Sequence, residues 1–261
     1  MNSTARGVIH LNKLTIFIIA TMLCTQALPQ SSGGLPAINR KTTPIATEDK
    51  SATTLATHRS KQQQLYVLGQ QISFTNPIGY CTPGDSVREK ELIATSKQML
   101  SSSVRLAHVA VRCDELDAYR TGKRDTLDHW MQIQIIGLKG EFKRLEIPRE
   151  AFLAGLAKTT PKLDMGELKS KINSKLNDFD MGVSNVNVHP IGRDGNAYYM
   201  STRSTLMYGD KSKVVTGLGG VTLVNSLPLG VWIYESSETP NSRDQLHVLL
   251  QQAFTSLISE N

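Results

Sequence analysis

VVTGLGGVTLV (residues 214–224) and LGVWIYE (229–235) are the two stretches that decide the fold of this 261-residue chain. Both are rich in β-branched and aromatic residues, and a turn at residues 225–226 separates them, which predicts a hairpin. VSNVNVHPI (183–191) and AYYMSTRSTLMY (197–208) precede them with the same character. The four stretches predict an antiparallel meander. The stretch 229–235 is apolar on both faces, which indicates a central position in the sheet or helices packed over it.

The helix that would cover this sheet is marked by a cap and an apolar stripe. Ser242 and Gln245 form a capping box at its start. Its apolar face consists of Leu246, Leu249, Leu250, Ala253, Phe254, Leu257 and Ile258. A helix with such a face packs onto a sheet. The sequence therefore predicts an α+β sandwich, in which helices pack on an antiparallel sheet.

The first half of the domain supplies further elements. YVLGQQISFTNPIGYC (66–81) predicts one strand, with alternation through Ile72 and Phe74, and VRLAHVAVRC (104–113) predicts an interior strand. Helix starts are indicated at Ser86, Asp114, Pro148 and Asp164. Residues 125–136 fit a helix that begins near Asp125 but also alternate like a strand, and periodicity leaves both interpretations open.

These elements carry a resemblance to known proteins. The opening strand with its end at Pro77, Gly79 and Tyr80, the helix after it, the late antiparallel strands and the closing helix resemble the α/β/α sandwich of PsbP-like and Mog-type proteins. The segment CDELDAYRTGK (113–123) is similar to one in exported proteobacterial proteins of unknown function. The resemblance implies binding or accessory roles more than catalysis.

The N-terminus has the features of an export signal. Arg6 and Lys13 precede the apolar run LTIFIIATMLC (14–24), and small residues follow, which predicts a signal peptide over residues 1–27. Residues 28–64 are polar and lack apolar periodicity, so we expect a flexible linker, and residues 65–261 form one domain. The predicted location is periplasmic or secreted. The alternative is an uncleaved anchor, which would be the chain's membrane contact.

Removal of the signal would leave two cysteines, Cys81 and Cys113. In an oxidising compartment two cysteines favour one disulfide, and both residues follow predicted strands that would lie side by side. We therefore predict a Cys81–Cys113 bridge, in preference to redox chemistry, which more often shows a Cys-x-x-Cys spacing.

The charge of +6 does not indicate a nucleic-acid partner. Residues 66–261 hold 22 basic and 21 acidic side chains, so the basic excess lies before the domain. A nucleic-acid-binding domain would carry a basic patch of its own.

The sequence contains no recognisable catalytic or metal motif, and no cofactor is predicted. No two of the six histidines lie within one helical turn, and His108 in the interior strand is interpreted as a core residue. Gly217, Gly219 and Gly220 lie between apolar strand residues, which indicates a close strand approach instead of a phosphate loop. The basic residues near Gly122, namely Arg120, Lys123 and Arg124, are interpreted as a solvated turn.

Two functional hypotheses remain. The first is an exported noncatalytic binding or accessory domain, whose partner is a protein or small ligand of the cell envelope. The alternative is an exported hydrolase-type enzyme whose site is assembled from distant residues such as Asp125, His129 and His189. A deep pocket with two or more converging titratable groups would favour the enzyme, whereas a shallow apolar patch over the meander would favour the binding domain.

Overall fold

The computed structural model describes residues 62–138, 140–159, 164–177, 181–236 and 242–261. The predicted signal peptide, and the predicted linker up to residue 61, lie outside these residues. Strand β1 begins at Gln62, within the range that the sequence assigns to the linker.

Three strands open the described part of the chain, helices and strands are interspersed after them, and four consecutive strands and a last helix follow. The strands are β1 Gln62–Val67, β2 Gln70–Thr75, β3 Tyr80–Cys81, β4 Val104–Arg112, β5 His129–Ile136, β6 Met181–Arg193, β7 Tyr198–Tyr208, β8 Lys211–Val224 and β9 Leu227–Glu235. The helices are α1 Val87–Gln98, α2 Cys113–Arg120, α3 Arg149–Thr159, α4 Met165–Leu176 and α5 Ser242–Ser259. This is an α+β fold.

Seven strands form one antiparallel sheet in the order β3-β4-β5-β9-β8-β7-β6. The predicted meander is therefore present as β6 to β9. Strand β9 lies between β5 and β8, and all of its residues are buried, which agrees with its apolar character on both faces. Residues 129–136, for which the sequence left helix and strand open, form β5, because β4 and β9 pair with both of its edges.

The two faces of the sheet are covered by different elements. Residues of α1 to α4, including Leu92, Leu116, Phe152 and Leu168, share one apolar core with one face. Helix α5 and the β1–β2 hairpin share a second core with the other face, through Phe74, Leu250 and Phe254 among others. Helices thus lie on both sides of the sheet.

The stretch predicted as a single first strand is instead a hairpin. Leu68 and Gly69 both have positive φ, 49° and 78°, and they reverse the chain between β1 and β2. The prediction missed this turn because Leu is an unusual residue at a position that favours Asn or Gly. Ile72 and Phe74 of β2 are buried, as their alternation predicts.

The glycines of TGLGGV lie in β8 and make room for aromatic rings. A Cβ atom at Gly219 would lie 1.5 Å from Cε3 of Trp232, and one at Gly217 would lie 2.8 Å from Cδ1 of Tyr234. The close approach that the sequence indicates is therefore between β8 and the side chains of β9. Trp232 lies against the backbone of Gly219 because no side chain stands between them.

The edge strand β6 is held by a side chain of α4. Asn173 Oδ1 accepts a hydrogen bond from the Val183 amide at 2.6 Å, and Asn173 Nδ2 donates to the Val183 carbonyl at 3.2 Å. The amide side chain therefore satisfies both backbone groups of one residue, as a neighbouring strand would. It also covers part of a sheet edge that would otherwise be open to pairing with another chain.

Replacement of Asn173 should destabilise the domain. Asn173→Ala leaves the amide and carbonyl of Val183 without these bonds, which costs about 1–3 kcal/mol for a partly buried pair. Urea unfolding of the variant should show this loss of free energy. The control is Ser174→Ala on the exposed side of the same helix, expected within about 0.5 kcal/mol of the parent. Equal midpoints for the two variants would contradict the role of Asn173.

Candidate functional site

The densest group of charged side chains lies where β5 begins and β9 ends. His129 and Glu235 pair across these two strands, and α2 brings Glu115 to the same place. We call Glu115, Arg124, Asp128, His129, Lys213, Glu235 and Ser236 the His129 cluster. It joins helix α2, the loop before β5, and strands β5, β8 and β9.

Glu115 is the buried acceptor of the cluster, with a side chain 5% exposed. Its Oε2 accepts from the backbone amides of Asp128 at 2.7 Å and His129 at 3.1 Å. Its Oε1 lies 2.5 Å from His129 Nδ1. On the other side of the ring, Nε2 lies 3.4 Å from Oε1 of Glu235. The imidazole therefore stands between two carboxylates.

The surroundings favour the charged forms of both partners. Burial lowers the pKa of His129, but the hydrogen bond and charge of Glu115 and the charge of Glu235 raise it by more than burial lowers it. The pKa therefore lies above its ordinary value of 6.5. Burial raises the pKa of Glu115, but the hydrogen bonds from His129 and from the Asp128 amide more than offset this, and the pKa lies below 4.5.

Asp128 forms the second half of the cluster. Its carboxylate forms ion pairs with Lys213 of β8 and with Arg124, and it accepts a hydrogen bond from Ser236 Oγ at 2.6 Å. Burial alone would raise the pKa of Asp128, but these contacts lower it below its ordinary value. The Ser236 amide also donates to the Asp128 carbonyl at 2.9 Å. Asp128 thus fixes the chain just after β9.

A second buried carboxylate, Glu89, organises the start of α1. Its side chain is 1% exposed, and it accepts hydrogen bonds from Arg120 Nη2 at 2.8 Å, the Gly84 amide at 3.0 Å and Ser86 Oγ at 2.6 Å. Burial raises the pKa of Glu89, but these donors lower it to about 2. The helix start that the sequence indicates at Ser86 is present, and Ser86 and Glu89 form a capping box there.

The basic residues near Gly122 contact acidic side chains of the domain. Arg120 pairs with Glu89 and Asp117, and Arg124 pairs with Asp128. Their guanidinium groups therefore link α2 and the following loop to neighbouring elements, which is more than the solvated turn that the sequence indicates for Arg120 and Arg124.

The three residues named for a hydrolase-type site do not converge. Asp125 is 79% exposed and pairs with Arg88. His189 is an exposed residue of β6, and β9, β8 and β7 lie between that strand and β5 with His129. The proposed combination of these three residues is therefore wrong, because the meander places the two histidines on opposite sides of the central strand.

The interpretation of His108 as a core residue agrees with the structure. His108 is buried, and its Nε2 lies 2.9 Å from Oδ1 of Asn76. Burial lowers the pKa of His108 to about 4, so the ring is neutral at physiological pH. His247 lies half-buried at the edge of α5, near the ring of Tyr199.

A disulfide joins Cys81 at the end of β3 to Cys113 at the start of α2. The two strands before these residues pair, with Cys81 opposite Val111. Cys113 begins the helix that carries Glu115, so the bridge anchors the helix near the His129 cluster. The sequence predicts this pairing of residues, although it places Cys113 in a strand and not in a helix.

Sequence reasoning named His129 but missed the other acidic members of the cluster, Glu115, Asp128 and Glu235. One signal for Glu235 was available, because this carboxylate ends an otherwise apolar strand. A charged residue in such a buried place needs a partner. The position of Glu115 in CDELDAYR gives no comparable signal.

The described ranges contain no helix that is long and apolar enough to cross a bilayer. Among the same residues, no three His, Cys, Asp or Glu side chains come together in a way that could hold a metal ion.

No protein-family model and no curated protein matches the chain. Among solved structures, cyanobacterial PsbP (CyanoP) from Synechocystis sp. PCC 6803 is 14% identical, with 79% of this chain and 96% of that chain covered at a TM-score of 0.36. The Ran-binding protein Mog1p of Saccharomyces cerevisiae is 9% identical, with 77% and 94% covered at a TM-score of 0.31. The chain thus resembles PsbP and Mog1 weakly.

Proposed function

We propose that this chain is a noncatalytic binding or accessory domain of the cell envelope, which uses the tip of the β1–β2 hairpin to contact a protein partner. The observation that carries the proposal is Leu68, an apolar residue that has a left-handed conformation and is 44% exposed. The neighbouring Tyr66 is 77% exposed.

Leu68 is unfavourable for the isolated domain in two respects. A left-handed conformation costs a residue with a Cβ roughly 1–2 kcal/mol, and Asn or Gly would fill the same turn with less strain. The exposed side chain recovers little of this cost by burial. Strained residues of this kind are found at functional sites, which supports a role in contact with another molecule.

Tyr66 adds a second apolar surface on the same hairpin. Its hydroxyl bonds to Gln71 on the opposite strand at 3.2 Å, which holds the ring over the outer side of the hairpin. Tyr is well suited to interfaces because it offers a large surface with few rotatable bonds. We infer a partner with an apolar recess that accepts Leu68 beside the Tyr66 ring.

The proposed location outside the cytoplasm is supported by the disulfide and by the sequence of residues 1–27. Cys81 and Cys113 are only half-buried, so their bridge is accessible to reductants, and such bridges persist in oxidising compartments. The His129 cluster supports the noncatalytic part of the proposal, because its charged groups pair with one another and join five parts of the fold.

Leu68→Asn tests the proposal through two opposite effects. Asn tolerates the left-handed conformation, so the variant should be more stable to urea by about 1 kcal/mol. It should also lose contact with the partner. The contact is measured by photo-crosslinking from a benzophenone residue at position 66 of the full chain, produced in its native cells, with adducts identified by mass spectrometry.

The matched control is Val248→Asn, which changes another exposed apolar residue, on α5. We expect a discrete adduct in the parent and in the Val248 variant, and its loss in the Leu68 variant. An adduct of equal yield in all three chains, or no discrete adduct in the parent, would overturn the proposal.

A further inference from the structure

Both ring nitrogens of His129 face a carboxylate, and this has a chemical consequence. Nδ1 lies 2.5 Å from Glu115 Oε1, and Nε2 lies 3.4 Å from Glu235 Oε1. A neutral imidazole has one N–H group, whereas the imidazolium has two. Only the protonated ring can therefore donate to Glu115 and Glu235 at once.

The ring lies closer to Glu115 than to Glu235, at 2.5 Å against 3.4 Å. Glu115 also binds the backbone amides of Asp128 and His129, at 2.7 and 3.1 Å, so it stays in place whether the ring is charged or not. The Glu235 contact is longer, at 3.4 Å. When the ring loses one proton, the remaining N–H therefore stays with Glu115, and Nε2 presents a lone pair to Glu235.

Other charged or titratable groups surround the His129 ring, and they belong to the neighbouring strands and the loop before β5. Arg124 Nη1, in the loop before β5, lies 3.7 Å from Glu115 Oε1, and Asp128 of the same loop is paired with Lys213 of β8. Arg112 at the end of β4 opposes the charge on the ring. Tyr80 of β3 stays neutral, because burial and the charge of Glu115 raise its pKa.

We propose that His129 is a pH-dependent latch between the start of β5 and the end of β9, closed when the ring is protonated and open at Glu235 when it is neutral. The latch adds a side-chain tie to the backbone pairing between the start of β5 and the end of β9, whereas Asp128 holds Ser236 separately. This proposal does not depend on what the tip of the β1–β2 hairpin binds.

The direction of the pH dependence follows from the surroundings of the ring. Although burial lowers the pKa of His129, Glu115 and Glu235 raise it above 6.5. The stabilisation is therefore fully present below pH 6.5 and is lost as the pH rises through the higher pKa of the folded state. Glu115 remains ionised over this range, because its pKa lies below 4.5.

The test is hydrogen–deuterium exchange of the full chain at pH values of about 6 and about 9, corrected for the intrinsic exchange rate. The peptide that covers residues 229–236 should lose protection at the higher pH, because the contact with Glu235 stabilises the fold only while the His129 ring is charged. A peptide from α5, residues 246–257, should change less. NMR titration of the His129 ring in the unmodified protein should give a pKa above 6.5.

Three variants separate the latch from a general loss of stability. His129→Gln and Glu235→Gln should each abolish the pH step in residues 229–236, whereas His189→Gln, which changes an exposed histidine of β6, should retain it. Glu235→Gln also keeps a side chain that can donate to the neutral ring, so it should fold at both pH values. A pH-independent protection of residues 229–236 in the parent, an equal step in the Glu235 variant, or a ring pKa below 6.5 would overturn the proposal.

Discussion

Gly219→Ala is expected to be the most damaging single substitution in the sheet, with a loss of about 3–5 kcal/mol. The new Cβ would lie 1.5 Å from the Trp232 ring, so the indole must leave its place. Trp232 is fully buried, and its displacement costs about as much as its removal from the core. The measurement is the free energy of unfolding in urea, with near-UV circular dichroism to follow the tryptophan environment.

Two further variants test whether the loss comes from the contact between Gly219 and Trp232. Gly195→Ala, at a turn where a Cβ atom would meet nothing within 4 Å, should change stability by less than about 0.5 kcal/mol. Trp232→Leu in the Gly219→Ala background should recover part of the loss, because the two sites are coupled through contact. A Gly219 variant as stable as the Gly195 variant would show that the indole is not packed on this glycine.

Removal of the disulfide should have the second largest effect. In the chain-entropy model, a bridge between residues separated by 32 positions stabilises the fold by roughly 3–4 kcal/mol. The double variant with Cys81→Ser and Cys113→Ser avoids a single free thiol and should lose about this amount. Urea unfolding measures the change, and peptide mass spectrometry of the unreduced parent should show the two cysteines linked.

The parent protein in reductant is the matched comparison for this variant. Dithiothreitol should lower the urea midpoint of the parent to that of the double variant, and it should leave the double variant unchanged. Two free thiols in the unreduced protein, or a parent midpoint that reductant does not alter, would contradict the structural role of the bridge.

The sheet could be predicted because its strands have clear local signals. The stretches 214–224 and 229–235 combine β-branched and apolar residues with a turn between them, and both faces of β9 are covered, so every position is apolar except Glu235. The hairpin of β1 and β2 was missed, since Leu68 lacks the turn propensity of Asn or Gly. β5 was ambiguous, since pairing with β4 and β9 decides its structure, and pairing leaves no periodic signal.

The His129 cluster could be predicted only in part. His129 stands out as a histidine beside an apolar strand, but Glu115, Lys213 and Glu235 come from α2, β8 and β9, which only the folded topology brings together. Sequence spacing reports contacts within a helix or across a short turn. It does not report which strands are neighbours after a crossover, and this is why His189 was grouped with His129.

The central position of β9 also bears on the order in which the chain can fold. Of the described strands it is the last to be synthesised, yet it joins the β3-β4-β5 half of the sheet to the β8-β7-β6 half. Until residues 227–235 are inserted, β5 and β8 each present an unpaired edge with buried-type side chains. Such edges are prone to pair with other chains. Completion of the fold therefore depends on a late and long-range step, which favours slow folding and a need for protection of the nascent chain.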